Sequence, residues 1–365
     1  MQIDGHHALT YVVARIAGME KQQAEKLAYS AQYVDEATNS NPVRFKNGAM
    51  YDRIASAHKM LDYRNSSQLA NHLSWIPFHF LPGNQGLPAG ESPQGHFTKR
   101  LVCFPDSPIS RDMLRMVMKY REQPFGLHMF GIAMHVYADT FAHQGFAGIT
   151  HEINEVEEIE PVGHPHIQDK GLWARVKDEF LNFSLSSVAP LGHGPALSFP
   201  DRPYCHWSYL DSEDNLVVRD NPQIFSDAAN QMYKAIRCYL AGDNTMVLEN
   251  YDNIPGVQMN VIRQAFETII HEEGEDRHKD WLHWIAMNKF GFGEEKIQFI
   301  AKGKGSWKQA ARGKAIPIFG SEDLVAYKYR EEFLHSDWKY FHDALKTFRL
   351  EIVRDILPEY GICVA

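Results

Sequence analysis

Apolar positions recur at helical spacing through much of the chain. Residues 5–18 carry one apolar face made of Leu9, Val12, Val13, Ile16 and Ala17. Asp4 stands where an N-cap is expected and Gly18 where a helix commonly ends. A second stripe covers residues 21–37, before the NSNP breaker at 39–42. Similar patterns predict helices near 125–146, 168–182, 222–241, 257–289 and 331–355, and Pro124 is expected at the first position of the helix near 125–146.

Strand signals are few and the longest loop is rich in proline and glycine. Short strands at 216–219 and 315–319 could pair locally. The segment between Trp75 and Pro108 has the length that a compact domain usually keeps only when a loop builds a site. We therefore predict an all-α protein with long Gly/Pro-rich site loops. It would be a single domain over 1–365, with a metal-site core in 1–210 and a helical extension in 211–365 whose role is open.

Charge and composition narrow the possible partners. The 365 residues contain 37 Lys+Arg and 46 Asp+Glu, so the formal net charge is −9. Such a surface does not attract polyanions in general, and we expect no binding of duplex nucleic acid. No apolar stretch approaches the roughly 18 residues of a membrane span, and the first residues lack the features of a signal peptide. The expected location is the cytoplasm, and the oligomeric state stays open.

Histidine is the residue type that points to chemistry. There are 19 His but only 4 Cys, and the cysteines form no CxxC pair. His135, Asp139 and His143 follow one another at steps of four, which places them on one face of a helix. The two histidines would lie roughly 12 Å apart, too far to share one ion. We predict one ion for each histidine with Asp139 as the bridging carboxylate, in a space left open by Gly131, Ala138 and Ala142. A buried polar helix without metal is the alternative.

Other acids and histidines interrupt apolar segments in the same way. Asp35 falls on the face that the second helix should bury, where a lone carboxylate needs a compensating charge. His6 lies at the top of the inward stripe of the first helix, with Asp4 two residues before it. A capping aspartate and a surface histidine are the alternative for that pair.

Three further ligands are predicted from loops. His79 lies between aromatic residues, where a core histidine without metal is equally compatible with the sequence. His193 and Asp201 lie in a second Gly/Pro-rich stretch and are predicted to reach the ion held by His143. His164, His166 and His206 compete with His193 for that role.

The order of these candidate ligands along the chain resembles that in the zinc-dependent bacterial phospholipases C and the single-strand-specific nucleases. The resemblance covers roughly residues 4–205. The run from Asp4 to Asp35 and the segment HVYADTFAHQGF are most similar to an uncharacterised bacterial family related to these hydrolases. The resemblance implies a helical fold, two or three zinc ions, and metal ligation by Asp4, His6, Asp35, His79, His135, Asp139, His143, His193 and Asp201.

The chain also departs from that superfamily. His143 follows Asp139 by four residues rather than six, and His193 and Asp201 are eight apart, so the usual HxxxE or HxxxD is absent. In the superfamily an amino-terminal residue freed by signal cleavage ligates metal through its amine. Here Met1 is expected to begin an uncleaved chain, and Asp4 is predicted to replace that amine.

The function implied is hydrolysis of a phosphodiester or phosphomonoester, with Asp139 bridging ions and Asp35 orienting the attacking water or taking its proton. Two alternatives remain. One is a di-iron or di-manganese helical oxygenase, whose sites use paired Glu-x-x-His motifs on a four-helix bundle, whereas the candidate ligands here are richer in His; HEEGEDRH at 271–278 contains Glu275-x-x-His278 but is typical of a solvated helix face. The other is a non-catalytic, metal-stabilised binding protein. An aromatic rim is predicted to favour small phosphodiesters: Phe78, Phe80, Phe199, Tyr204 and Trp207.

Overall fold

The computed structural model describes residues 1–57, 68–162, 190–318 and 321–364. Its helices are α1 (Thr10–Ile16), α2 (Lys21–Glu36), α3 (Gln68–Phe78), α4 (Pro108–Met118), α5 (Gly126–Ala142), α6 (Asn221–Ala241), α7 (Gly256–Thr268), α8 (Gly274–Ala286), α9 (Trp307–Arg312), α10 (Asp337–Leu350) and α11 (Leu357–Glu359). π-Helical segments at Asp4–Leu9 and Glu351–Ile356 lead into α1 and extend α10. The strands are β1 (Val43–Arg44), β2 (Met50–Tyr51), β3 (Val156–Pro161), β4 (His206–Asp211), β5 (Leu216–Asp220), β6 (Ile316–Ile318) and β7 (Ser321–Ala326).

The predicted all-α class is wrong. The chain is about 52% helical and 11% strand, and the strands form three small antiparallel sheets. Two hairpins, β1–β2 and β6–β7, accompany a three-stranded sheet in the order β3-β4-β5. The short apolar and polar alternations of β3 and β4 lie beside proline-rich and acidic residues, so they stand out little in the sequence. The strands expected at 216–219 and 315–319 exist, but they belong to different sheets.

Helix α5 runs through the interior of the molecule. All of its residues except Leu127 are buried, which is the behaviour of a helix that is apolar on every face. It packs against α2, α4, α6 and α10. Gly131 brings α2 especially close, because a Cβ there would lie 2.5 Å from Ser30 Cβ and 2.6 Å from the Leu27 carbonyl oxygen. The glycine that was expected to leave room for ions instead makes room for a neighbouring helix.

Several helix boundaries differ from the sequence expectation. The apolar stripe at 257–289 is divided between α7 and α8, and α3, α4 and α9 were not anticipated. Helix α5 begins at Gly126, so Pro124 precedes it rather than opening it, and it ends before His143. The helix expected at 168–182 lies outside the described residues.

One hydrophobic core joins the two halves of the sequence. It contains residues from α1, α2 and α5 together with residues from α6, α8 and α10. A smaller apolar cluster beneath the three-stranded sheet includes Phe80, Phe146 and Trp207. Within the described ranges no helix has the length and apolarity needed to cross a bilayer, as the sequence led us to expect.

Candidate metal centre

The end of α5 is held by the three-stranded sheet. His135 and Asp139 lie on α5 itself and are almost completely buried, whereas His143 is its C-cap residue. Buried Arg219 of β5 donates to the carbonyl oxygens of Ala142 at 2.7 Å and Gln144 at 2.8 Å. A cation at this end of a helix stabilises the exposed carbonyl groups. The predicted His–Asp–His triplet thus consists of two helical residues and one residue of a fixed turn.

A first ligand group consists of Asp35, His79, His135 and Asp139. His135 Nε2 lies 3.2 Å from both Asp139 Oδ2 and His79 Nδ1, and the latter two atoms are 3.6 Å apart. Asp35 Oδ1 is 3.8 Å from His79 Nδ1 and 3.9 Å from His135 Nε2. Ligand atoms around a tetrahedral zinc ion with bonds of about 2.1 Å lie roughly 3.4 Å apart. These atoms therefore surround a space of the size that one such ion needs.

A second ligand group consists of His143, His193 and Asp201. His143 Nε2 is 3.1 Å from Asp201 Oδ1, and His193 Nε2 is 3.4 Å from Asp201 Oδ2. One nitrogen or oxygen atom from each residue lies within 4.8 Å of the others. The backbone supports this arrangement at Gly192, whose φ is +56° and where a Cβ would lie 2.3 Å from the Phe80 ring. A larger residue there would displace His193.

The amino terminus lies between the two groups. The Met1 ammonium nitrogen is 2.6 Å from Asp139 Oδ1, 3.1 Å from Asp201 Oδ1 and 3.3 Å from His143 Nε2. His6 Nε2 is 3.2 Å from the same Asp139 Oδ1, and its ring stacks on His135 with centroids 3.7 Å apart. Asp139 therefore turns one oxygen toward the first ligand group and the other toward Met1 and His6. The predicted role of Asp139, a bridge between an ion at His135 and another at His143, stays a prediction.

Backbone carbonyl groups fix the tautomers of three of the histidines. His79 Nε2 contacts the Ser56 carbonyl oxygen at 3.0 Å, His143 Nδ1 contacts that of His79 at 2.7 Å, and His193 Nδ1 contacts that of Leu197 at 2.7 Å. A carbonyl oxygen can only accept, so each of these nitrogens carries the proton. In the neutral ring the other nitrogen then presents its lone pair to the cluster. Such carbonyl contacts are typical of metal-ligating histidines.

Several buried polar atoms at the centre make no hydrogen bond to any described residue. They are both ring nitrogens of His6, Nδ1 of His135 and Oδ2 of Asp139. Leaving such groups unpaired is expensive, at about 1–3 kcal/mol each and more for a charge. A cation between the carboxylates and the imidazole lone pairs would satisfy Asp139 and His6, so the residues present fit a metal centre.

The surroundings favour neutral imidazoles and ionised carboxylates. Burial and the nearby His6 ring lower the pKa of His135 to about 4. Burial also lowers the pKa of His193 to about 4, against the opposing pull of Asp201. Although burial acts to raise it, proximity to His143 and the Met1 ammonium holds the pKa of Asp139 well below its usual range. These are the protonation states that metal ligation requires.

Asp4 is not brought to this cluster. Its carboxylate accepts from Arg277 Nε at 2.6 Å and Nη2 at 3.3 Å. Arg277 also donates to Gln2 Oε1 and to the carbonyl oxygens of His271 and Glu272, each at 2.7 Å, so all five of its N–H groups are used. The place predicted for Asp4 is taken by the Met1 amine.

Arg277 shows what the sequence prediction missed. We expected residues 271–278 to form a solvated helix face, but Arg277 is fully buried and His278 is buried against His7, with His7 Nδ1 and His278 Nε2 2.9 Å apart. Helix α8 thereby holds the amino-terminal segment beside the cluster. The glycine within the acidic run was the available signal, since a Cβ at Gly274 would lie 2.5 Å from Gln2 Oε1.

The remaining sequence candidates are placed as follows. Nδ1 of His206 pairs with Asp220 Oδ1 at 3.5 Å, away from the cluster. His164 and His166 lie outside the described residues. The prediction of an aromatic rim is wrong, because the five aromatic residues assigned to it are only 0–4% exposed and belong to the core. Phe80, for example, stacks on the His143 ring with centroids 4.7 Å apart.

Comparison with known proteins gives one match. A family model covers residues 1–356. The chain belongs to DUF6765, a family of unknown function. No curated protein and no solved structure matches it. Membership of DUF6765 assigns no activity, so the geometry of the centre carries the argument about function.

Proposed function

We propose that this chain is a zinc-dependent phosphoric ester hydrolase with two or three ions in one centre. The observation that carries the proposal is the convergence of three carbonyl-fixed histidines, His79, His143 and His193, on the carboxylates of Asp139 and Asp201. A lone pair that faces a carboxylate oxygen at 3.1–3.6 Å is repelled by it. A cation between them turns that repulsion into attraction.

The ligand types favour zinc over the other common ions. Imidazole combined with carboxylate suits zinc, whereas calcium and magnesium prefer oxygen ligands alone. Helical di-iron sites use Glu-x-x-His pairs on facing helices, and no Glu is present in either ligand group. The first ligand group would hold one ion and the second ligand group another. Met1, His6 and Asp139 Oδ1 would hold a third only after the Met1 ammonium loses a proton, since, although burial acts to lower it, the Asp139 and Asp201 carboxylates raise its pKa to about 11.

In such a centre zinc would lower the pKa of a water molecule and neutralise charge on the phosphoryl oxygens. Asp35 is the member of the first ligand group that reaches solvent, with 33% of its side chain exposed. Its Oδ2 accepts a hydrogen bond from Gln32 Nε2 at 3.2 Å, which fixes the carboxylate. We assign to Asp35 the orientation of the water that forms the new P–O bond and the acceptance of its proton, while the ester oxygen leaves with its electron pair.

Metal content and turnover of a chromogenic phosphodiester test the proposal together. Protein purified from zinc-supplemented medium should contain two or three zinc equivalents by mass spectrometry and should turn the ester over. Asp35→Asn should lower kcat about 100-fold or more, whereas Asp252→Asn, at an exposed residue, should leave it unchanged. Zinc without any turnover would favour the alternative, a metal-stabilised binding protein. Absence of zinc would refute both.

We propose small phosphodiesters rather than duplex DNA as the substrate class. The support is the net charge of −9, which disfavours electrostatic capture of long polyanions. A panel of a small chromogenic diester, short single-stranded oligonucleotides, duplex DNA and phosphatidylcholine tests it, and faster turnover of duplex DNA than of the small diester would contradict it. We further propose a cytoplasmic location, which cell fractionation tests.

A further inference from the structure

A second, basic cavity lies between the end of α2, helix α9 and the β6–β7 hairpin. It has a volume of about 370 Å³, and four cationic side chains line it: Arg44, Arg53, Lys308 and Arg312. The other lining residues are Asn39, Asn41, Pro42, Val43, Val325 and Tyr327, so no acidic residue is among them. It shares no lining residue with the metal centre. We call it the basic cavity.

The cations of the basic cavity are not neutralised by ion pairs within the part of the chain that the structure describes. None of the four makes an ion pair with any residue in the described ranges, although the chain as a whole is acidic. Arg53 is only 8% exposed, and its Nε donates to the Asn41 carbonyl oxygen at 2.8 Å. Nε of Arg312 is buried and has no hydrogen-bond partner among the described residues. Gathering unpaired charge in a partly buried space is unfavourable unless an anion enters it.

Aromatic rings pack against the guanidinium groups of Arg53 and Arg312. Arg312 lies over Tyr327 at 4.4 Å from the ring centroid, and both Arg312 and Arg53 lie against Trp338 at 5.3 Å and 5.6 Å. Stacking on an aromatic face fixes the plane of a guanidinium group and leaves its N–H edge available for an oxyanion. The pair is therefore organised before any ligand binds.

Burial and mutual repulsion among the cationic side chains of the basic cavity lower the pKa of Arg53 and of Lys308. Burial and the neighbouring Arg312 lower the pKa of Arg53 to about 10, and burial with Arg312 and Arg53 lowers the pKa of Lys308 to about 8. A bound anion would reverse the repulsion. The Lys308 amine can thus report on occupancy of the cavity.

We propose that the basic cavity binds a small multivalent phosphate group, a diphosphate or a phosphomonoester, separately from the metal centre. Guanidinium groups recognise phosphate oxygens through paired N–H donors, and the lysine adds a point charge. The volume equals that of roughly a dozen water molecules, so the cavity accommodates more than one tetrahedral anion. The phosphate could be that of a soluble molecule or that of a lipid headgroup.

The test measures acylation of Lys308 by peptide mass spectrometry in the zinc-loaded protein. Inorganic diphosphate should reduce the labelling of Lys308 about tenfold, since raising an amine pKa by one unit lowers its unprotonated fraction by that factor. Exposed Lys304 is the internal control and should be labelled equally in all samples. Sodium chloride at the same ionic strength should not protect Lys308.

Variants and a second source of phosphate complete the experiment. Arg312→Gln should abolish the protection. Arg44→Gln, at an exposed position that tolerates substitution, should weaken the protection and serves as the test if Arg312→Gln does not fold. Vesicles of phosphatidylcholine with phosphatidic acid form a separate arm, and protection by these vesicles alone would assign the phosphate to a lipid headgroup. Equal labelling in diphosphate, vesicles and chloride would overturn the proposal. Protection that persists unchanged in both variants would also overturn it, by placing the anion outside the basic cavity.

Discussion

At the scale of single residues, the centre depends on one carboxylate with two separate tasks. Asp139 is 1% exposed and lies within 3.2 Å of His135, His6 and the Met1 amine. One oxygen faces the first ligand group and the other faces Met1 and His6. Losing the contacts of either oxygen would therefore leave buried polar groups unpaired. Histidines with a single carbonyl contact, such as His193, serve one ligand group each.

Replacing Asp139 by Asn tests this double role. The amide keeps the shape but loses the charge, so we expect loss of at least one zinc equivalent and a decrease of about 3–5 kcal/mol in the free energy of unfolding. Zinc analysis and thermal unfolding measure the two effects. Asp252→Asn is the matched control at an exposed position. A variant with wild-type zinc content and stability would show that the cluster is only polar packing.

At the scale of elements, the first ligand group depends on how closely α2 approaches α5. Asp35 is on α2, whereas His135 and Asp139 are on α5, and the two helices are in tight contact at Gly131. The contact at Gly131, one turn before His135 on α5, therefore controls the distance of 3.9 Å between Asp35 Oδ1 and His135 Nε2.

Gly131→Ala should separate these helices. The added methyl group would lie 2.5 Å from Ser30 Cβ, and overpacking of this kind costs about 1–3 kcal/mol. We expect lower thermal stability together with weaker zinc binding, measured by competition with a chromogenic chelator. Gly256→Ala is the control, because nothing lies within 4 Å of a Cβ there. A destabilised variant with unchanged zinc affinity would separate the helix contact from the centre.

Local sequence pattern predicted α2 and α5, and it singled out Asp35, His135 and Asp139 as polar interruptions in their apolar runs. His79, His193 and Asp201 were predicted from loops instead. The pattern did not predict the partner of Asp4, because Arg277 lies 273 residues away in sequence and directly follows two exposed acidic residues, Glu275 and Asp276. Nor did it reveal the sheet around Arg219 or the burial of Phe80 and Trp207. Aromatic residues near a site are as compatible with a core as with a rim, and only tertiary packing decides between them.

At the scale of the whole molecule, the centre connects segments that are distant in the chain. Its candidate ligands come from the amino-terminal π-helical segment, α2, the residue after α3, α5 and the loop at 190–205. Metal bound to such a set stabilises the entire fold, since the unfolded chain has no comparable site.

Removal of zinc should therefore lower the melting temperature of the whole protein. Free zinc at about 100 times its dissociation constant contributes roughly 2.7 kcal/mol for each site. Calorimetry with chelator, and then with zinc restored, measures the change, and magnesium at the same concentration should not restore it. Identical melting curves in all three conditions would contradict metal stabilisation.

The five hydrogen bonds of Arg277 also determine when the centre can be completed during synthesis. Arg277 leaves the ribosome long after Gln2 and Asp4, which it binds. Translation at about 5–20 residues per second makes this interval roughly 14–55 seconds. During that time the amino-terminal histidines are present in the cell without the helix that positions them. Completion of the centre is consequently a late event in biosynthesis, and a ribosome stalled before α8 would expose an unfinished centre to whatever metal is most abundant.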